Sequence, residues 1–160
     1  TFSRLKPEII AGWNINFDID YSKQRAKRLR LVLDFSGSVR FDLRDAYESL
    51  KNRRGRLKHV AVEEKIIKEE DLVAEEFRKE LWVKNPDLII RYNKMDVELC
   101  KKIDEKFRLI DLFWELKSYV GLEKVSFRKS ILIGTLLLRK RPAFMVLPSI
   151  PEIEIEKEKS

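Results

Sequence analysis

Residues 7–21 read PEIIAGWNINFDIDY, and the placement of this stretch decides how the rest of the chain is understood. Residues 8–12, introduced by Pro7, form a short apolar run of β character that ends at Gly12. A polar segment follows, with Asn14, Asn16, Asp18 and Asp20 set around Phe17. From residue 20 to residue 30 the chain is charged and helix-compatible, so the acids lie where a strand hands over to a helix. In α/β proteins that junction is where ligands and reacting groups gather. From local sequence alone Asp18 suits a helix N-cap, in a loop that leaves the first strand.

Further along, LVLDF at 31–35, a Ser-Gly-Ser turn and VRFDL at 39–43 read as strand, turn and strand. Helices are expected over 44–51, 58–67 and 71–81, with a basic turn at Asn52-Arg53-Arg54-Gly55-Arg56. The best-defined helix spans 86–119. In it Leu99, Ile103, Phe107, Ile110 and Trp114 recur at spacings of 4, 4, 3 and 4, an apolar stripe facing a core. Gly121 suits its C-terminal cap. Traced backward, the stripe reaches Asp96 and then Tyr92, one turn apart on one helix face. A carboxylate on an inward edge is costly unless something pairs with it. A last helix is expected from 126 to about 141, ahead of Pro142, Pro148 and Pro151 and a charged tail.

The bulk composition narrows the chemistry. The 160 residues suffice for one domain with a real core, and 44% are hydrophobic. No apolar run approaches the ~20 residues of a membrane span. The first residues lack the apolar core of a signal peptide, so a cytoplasmic protein is expected. A single cysteine, Cys100, and a single histidine, His59, exclude an internal disulfide and a Cys- or His-built metal site. Any metal must be held by oxygen, which points to Mg²⁺ or Mn²⁺. The net charge of +7, with 34 basic and 27 acidic residues, suits either a polyanionic partner or a densely ion-paired surface of thermophilic type.

Asp18 and Asp96 are thus the two carboxylates with a claim to chemistry, and Tyr92 stands beside one of them. Carboxylates with a phenol suit two-metal phosphodiester hydrolysis, in which paired cations activate water and stabilise the leaving oxygen.

These motifs resemble those of family B DNA polymerases of archaeal-like type. KPEIIAGWNINFD at 6–18 is similar to the second motif of their 3′→5′ exonuclease domain, with Asn14, Phe17 and Asp18 at the motif positions. YNKMD at 92–96 is similar to the third, Tyr-x3-Asp. GSVRFDL at 37–43, LKHVA at 57–61, and the segment from LLLR at 136–139 to LPS at 147–149 resemble the family's intervening and following segments, in the same order. The resemblance implies an α/β, ribonuclease-H-like fold that lacks its opening strands and has a helix-rich C-terminal half. Residues 1–125 would be a partial exonuclease domain, 126–151 a helical segment leading toward a polymerase palm, and 152–160 a tail. It implies metal-ligand roles for Asp18 and Asp96, water orientation by Tyr92, and contact of Asn14 and Phe17 with a single-stranded DNA 3′ end. From the residues alone Phe17 is most simply core. Asp42 is expected to be structural, and Asp20 a solvated carboxylate. The family's first motif, Asp-x-Glu on the opening strand, would lie upstream of Pro7, where the sequence has no such pattern, and its polymerase motifs are not found in the 160 residues. A second chain or a missing segment would have to supply them, and the chain alone is expected to be inactive. The rival expectation is a non-catalytic DNA-binding or docking module.

Overall fold

The computed structural model describes residues 5–72 and 85–142. Pro7 leads into strand β1 (Ile9–Gly12), followed by helix α1 (Ile15–Arg28), strand β2 (Val39–Asp42), and helices α2 (Leu43–Lys51) and α3 (Leu57–Glu63). A one-turn 3₁₀ helix (Glu69–Asp71) precedes α4 (Pro86–Phe107), α5 (Leu109–Val120) and α6 (Lys129–Lys140). Among the described residues the protein is therefore a mostly helical α/β structure, with six α-helices around a small two-stranded parallel sheet. None of these helices is long and apolar enough to cross a membrane.

The sheet departs from the strand–turn–strand expectation. β2 pairs in parallel with β1, Ile9 opposite Val39 through Gly12 opposite Asp42, and α1 is the crossover that parallel strands require. Residues 31–35 form no strand; Val32 is 94% exposed. The cause is local. Asp34 takes the Ser36 backbone N–H and hydroxyl onto its two carboxylate oxygens, at 2.8 and 3.0 Å, and turns the chain. The Ser38 hydroxyl then donates to the Pro7 carbonyl (2.6 Å) and the Val39 N–H to the Glu8 carbonyl (2.7 Å), which lays β2 along β1.

Helix α1 begins at Ile15, earlier than expected, because Asn14 takes the left-handed conformation (φ 65°) that Asn tolerates and turns the chain directly into the helix. Asp18 therefore lies in the first turn of α1, neither in a loop nor at the N-cap. The helix expected over 58–67 ends at Glu63, where the chain reverses through Lys65 at φ 54°. Most of the 71–81 helix and the charged tail lie outside the described residues, and the last helix, expected from 126 to about 141, runs from Lys129 to Lys140.

The long helix of 86–119 is two helices. Arg108 adopts φ 48°, the Asp104 Oδ1 accepts the Ile110 N–H (3.0 Å) that the break exposes, and the Arg108 guanidinium pairs with Asp111 (2.8 Å). Leu99 and Ile103 are buried as the stripe requires. Past the break the buried positions are Leu109, Phe113 and Val120, with Ile110 and Trp114 only half-buried. Gly121 (φ 75°) closes α5.

The core gathers Phe41 of β2, Tyr47 of α2, Val60 of α3, Ile103 of α4, and Leu109 and Phe113 of α5. Phe127, ahead of α6, meets both Phe41 and Phe113 edge-on at 5.1 Å between ring centroids. This packing holds the C-terminal end of β1 and the middle of α4 on opposite sides of one cleft.

A carboxylate cleft between the first strand and the long helix

The cleft measures about 580 Å³ and is bordered by Gly12 and Trp13, by Asp18 one turn into α1, and by Asp96, Cys100 and Asp104 of α4. The three α4 residues recur every fourth position, so they share one face beside the buried Leu99–Ile103 stripe. Asp18 and Asp96, distant in sequence, are thus brought to one cavity. Asp104 is a third acid on its wall, although one of its oxygens is committed to the Ile110 N–H.

The electrostatics of the cleft are acidic. Burial first, and the neighbouring Asp42 carboxylate second, hold the Asp18 carboxyl above its ordinary value. The Cys100 thiol is pushed up to about 11, chiefly by burial. The Trp13 backbone N–H, which bonds to its sulfur, opposes that shift, while the Asp96, Asp18 and Asp42 carboxylates add to it. Lys101 also borders the cleft, one cation beside the three acids Asp18, Asp96 and Asp104.

Asp42 does not reach into the cleft as a ligand. It is 4% exposed, and its Oδ1 accepts backbone N–H bonds from Arg44 (3.0 Å), Asp45 (3.3 Å) and Asn14 (3.2 Å). It is the N-cap of α2 and also ties down the turn before α1.

The other expected site residues are placed as follows. Tyr92 lies one turn from Asp96 on α4 but does not border the cleft. Its ring carries the Lys58 Nζ at 3.6 Å from the centroid, and Lys58 is only 6% exposed. Asn14 sits at the mouth of the turn, its N–H held by Asp42. Phe17 is 65% exposed, so its reading as a core residue is corrected: Ile15 and Ile19 take the buried face of α1 and turn Phe17 outward. Asp20 is solvated.

Lys58, Trp13 and Asp104 were not singled out in the sequence. Asp104 was accessible there, because it repeats the Asp96–Cys100 spacing one further turn along. Lys58 shares a face with Ala61, three residues on, and that spacing marks it as inward-facing.

Among the described residues no group of three or more His, Cys, Asp or Glu side chains is placed to hold a metal ion. Asp18 and Asp96 fit as part of an oxygen cage for a hard cation, and by themselves they do not complete one. No protein-family model matches the chain, and no curated protein matches it.

Proposed function

We propose that the chain is part of the 3′→5′ proofreading exonuclease domain of a family B DNA polymerase, acting on a single-stranded DNA 3′ end, with a ribonuclease-H-like arrangement of its sheet and helices. The observation that carries this reading is the meeting of Asp18 and Asp96, one from the strand-to-helix turn and one from the long helix, in a single acidic cleft. The order of the five sequence motifs supports it. In this reading Asp18 and Asp96 supply part of a cage for Mg²⁺ or Mn²⁺, whose chemistry is to lower the pKa of water and offset charge on the leaving oxygen. Tyr92 orients the attacking water, which requires it to leave Lys58 and turn toward the cleft. Asn14 and Phe17 contact the DNA end.

The remaining acids would arrive on an Asp-x-Glu strand, from another segment or a second chain. The outer edge of β1 suits it: no described strand pairs there, and Ala11 and Gly12 of the same strand border the cleft. The 160-residue chain alone is therefore expected to lack polymerase activity and to degrade DNA weakly or not at all.

Titrating Mn²⁺ into isotope-labelled protein tests the reading. Paramagnetic broadening should centre on Asp18 and Asp96 and disappear in Asp18→Ala and Asp96→Ala. Broadening elsewhere, or none at millimolar Mn²⁺, overturns the site. Robust Mg²⁺-dependent degradation of labelled single-stranded DNA, lost in either variant, would overturn the expectation of inactivity.

The second reading is a non-catalytic DNA-binding or docking module, favoured by the incomplete ligand set. The two separate when a peptide carrying an Asp-x-Glu strand is added, because only the first gains nuclease activity.

A further inference from the structure

Helix α1 presents an unusual outer face. Ile15, Ile19 and Ala26 are buried, and at about 100° per residue Phe17, Tyr21 and Arg28 fall on the opposite side, with Gln24 between them and Arg25 on the flank nearest Asp18. Phe17 and Tyr21, four residues apart, are 65% and 61% exposed. Residues 22–30, SKQRAKRLR, carry five cations and no acid. Asp20 lies on the far flank.

Arg44, Arg53, Arg54, Lys101, Lys106 and Arg108 each have a carboxylate within 4.0 Å. Among the described residues, Arg25, Lys27, Arg28 and Arg30 form no ion pair, and neither do Arg40, Lys51, Arg56 and Lys102. What sets the face of α1 apart is that its cations follow two exposed rings on one line. Cations at the C-terminal end of a helix complement its dipole, which explains their position. It does not explain two aromatic rings held in water ahead of them on the same line. Exposed rings followed by unneutralised cations match the chemistry of a single nucleic-acid strand, whose bases stack and whose phosphates need counter-charge.

We infer that the outer face of α1 is a track for single-stranded nucleic acid, on which Phe17 and Tyr21 stack bases and Arg25 and Arg28 contact phosphates. This deepens the proposed function and rests on it. The stripe runs about 16 Å from Phe17 to Arg28, at about 1.5 Å per residue, and begins next to Asp18, so it would lead a strand away from the cleft.

The test is fluorescence anisotropy with fluorescein-labelled (dT)12 in EDTA, where binding is measured without turnover. Tyr21→Ala should weaken binding by about 5- to 150-fold, and Tyr21→Phe should preserve it. Changing Arg25 and Arg28 together to Gln should reduce the slope of log K against log salt by about 1.4. Arg53→Gln with Arg54→Gln, on the basic turn, should change little. All of these positions are on the surface, and coincident thermal melts confirm intact folds.

Binding that ignores Tyr21→Ala but falls with the basic-turn changes overturns the track and leaves the proposed function standing. Absence of oligonucleotide binding alongside Mn²⁺ broadening at Asp18 and Asp96 does the same. Absence of both overturns track and function together. Self-association abolished by Tyr21→Ala, with no DNA binding, would assign the face to a second copy of the chain and overturn the track.

Discussion

The Asn14 backbone N–H donates to Asp42 Oδ1 at 3.2 Å, across the end of the parallel sheet where Gly12 lies opposite Asp42. The same oxygen caps α2 through Arg44 and Asp45, so one buried carboxylate fixes both helix starts that follow the two strands. Asp42→Ala leaves those N–H groups without their acceptor and should cost about 1–3 kcal/mol in urea unfolding. Asp42→Asn keeps an amide oxygen and should recover most of that loss.

Asp42 also repels Asp18. Because burial and that repulsion raise the Asp18 pKa above 3.8, the folded protein holds this proton more tightly than the unfolded chain. The resulting stability is full below the unfolded value and is lost as pH rises through the raised folded value. At neutral pH the ionised carboxylate is a net cost, and Asp18→Asn should raise the melting temperature. The gain should stay below about 1 kcal/mol, since solvent screens a partly exposed group. It should vanish at acid pH, where Asp18 is already neutral.

Tyr47 donates its hydroxyl to Glu64 Oε1 at 2.7 Å and is fully buried. That bond is the main cause of the lowered Glu64 pKa, whose stabilising contribution is present above 4.5 and lost as pH falls through the lowered value. Burial first, and the bond to Glu64 second, push Tyr47 up to about 12, so its contribution is present below pH 10 and lost as pH rises toward 12. Tyr47→Phe should cost about 1 kcal/mol at neutral pH. It should also flatten both arms of a melting-temperature profile against pH.

Gly121 closes α5 at φ 75°, and the Arg139 guanidinium occupies the space a Cβ would take while donating to the Val120 carbonyl at 2.7 Å. Gly121→Ala should lose about 1 kcal/mol or more, from left-handed strain and from displacement of Arg139. In an Arg139→Ala background the displacement part is already lost. A double-mutant cycle should therefore be non-additive, with the pair less damaging than the sum.

What could be read in the sequence followed the range of the forces involved. β1, α2, the first part of α4 and the Gly121 cap are set by local periodicity and caps, and each was expected close to where it lies. The partner of β2 was not legible, because bonds from Ser38 and Val39 to Pro7 and Glu8 choose it across a long sequence separation. The break at Arg108 carries no Gly or Pro. It depends on the Asp104 and Asp111 side chains, which periodicity does not weigh. At the cleft, the helical spacing drew attention to Asp96, and the strand-to-helix junction drew it to Asp18. The engagement of Tyr92 with Lys58 was hidden, since it joins α4 to α3, two elements with no sequence pattern in common.

The left-handed turn at Arg108 also governs the size of the molecule. Run straight from Pro86 to Val120, the helix would extend about 50 Å at about 1.5 Å per residue, well past the ~30 Å diameter of a small domain. Its far end would stand in water with its apolar residues uncovered. Breaking after Phe107 returns that length to the body of the protein. Ile103 and Phe113, on either side of the break, then share one interior.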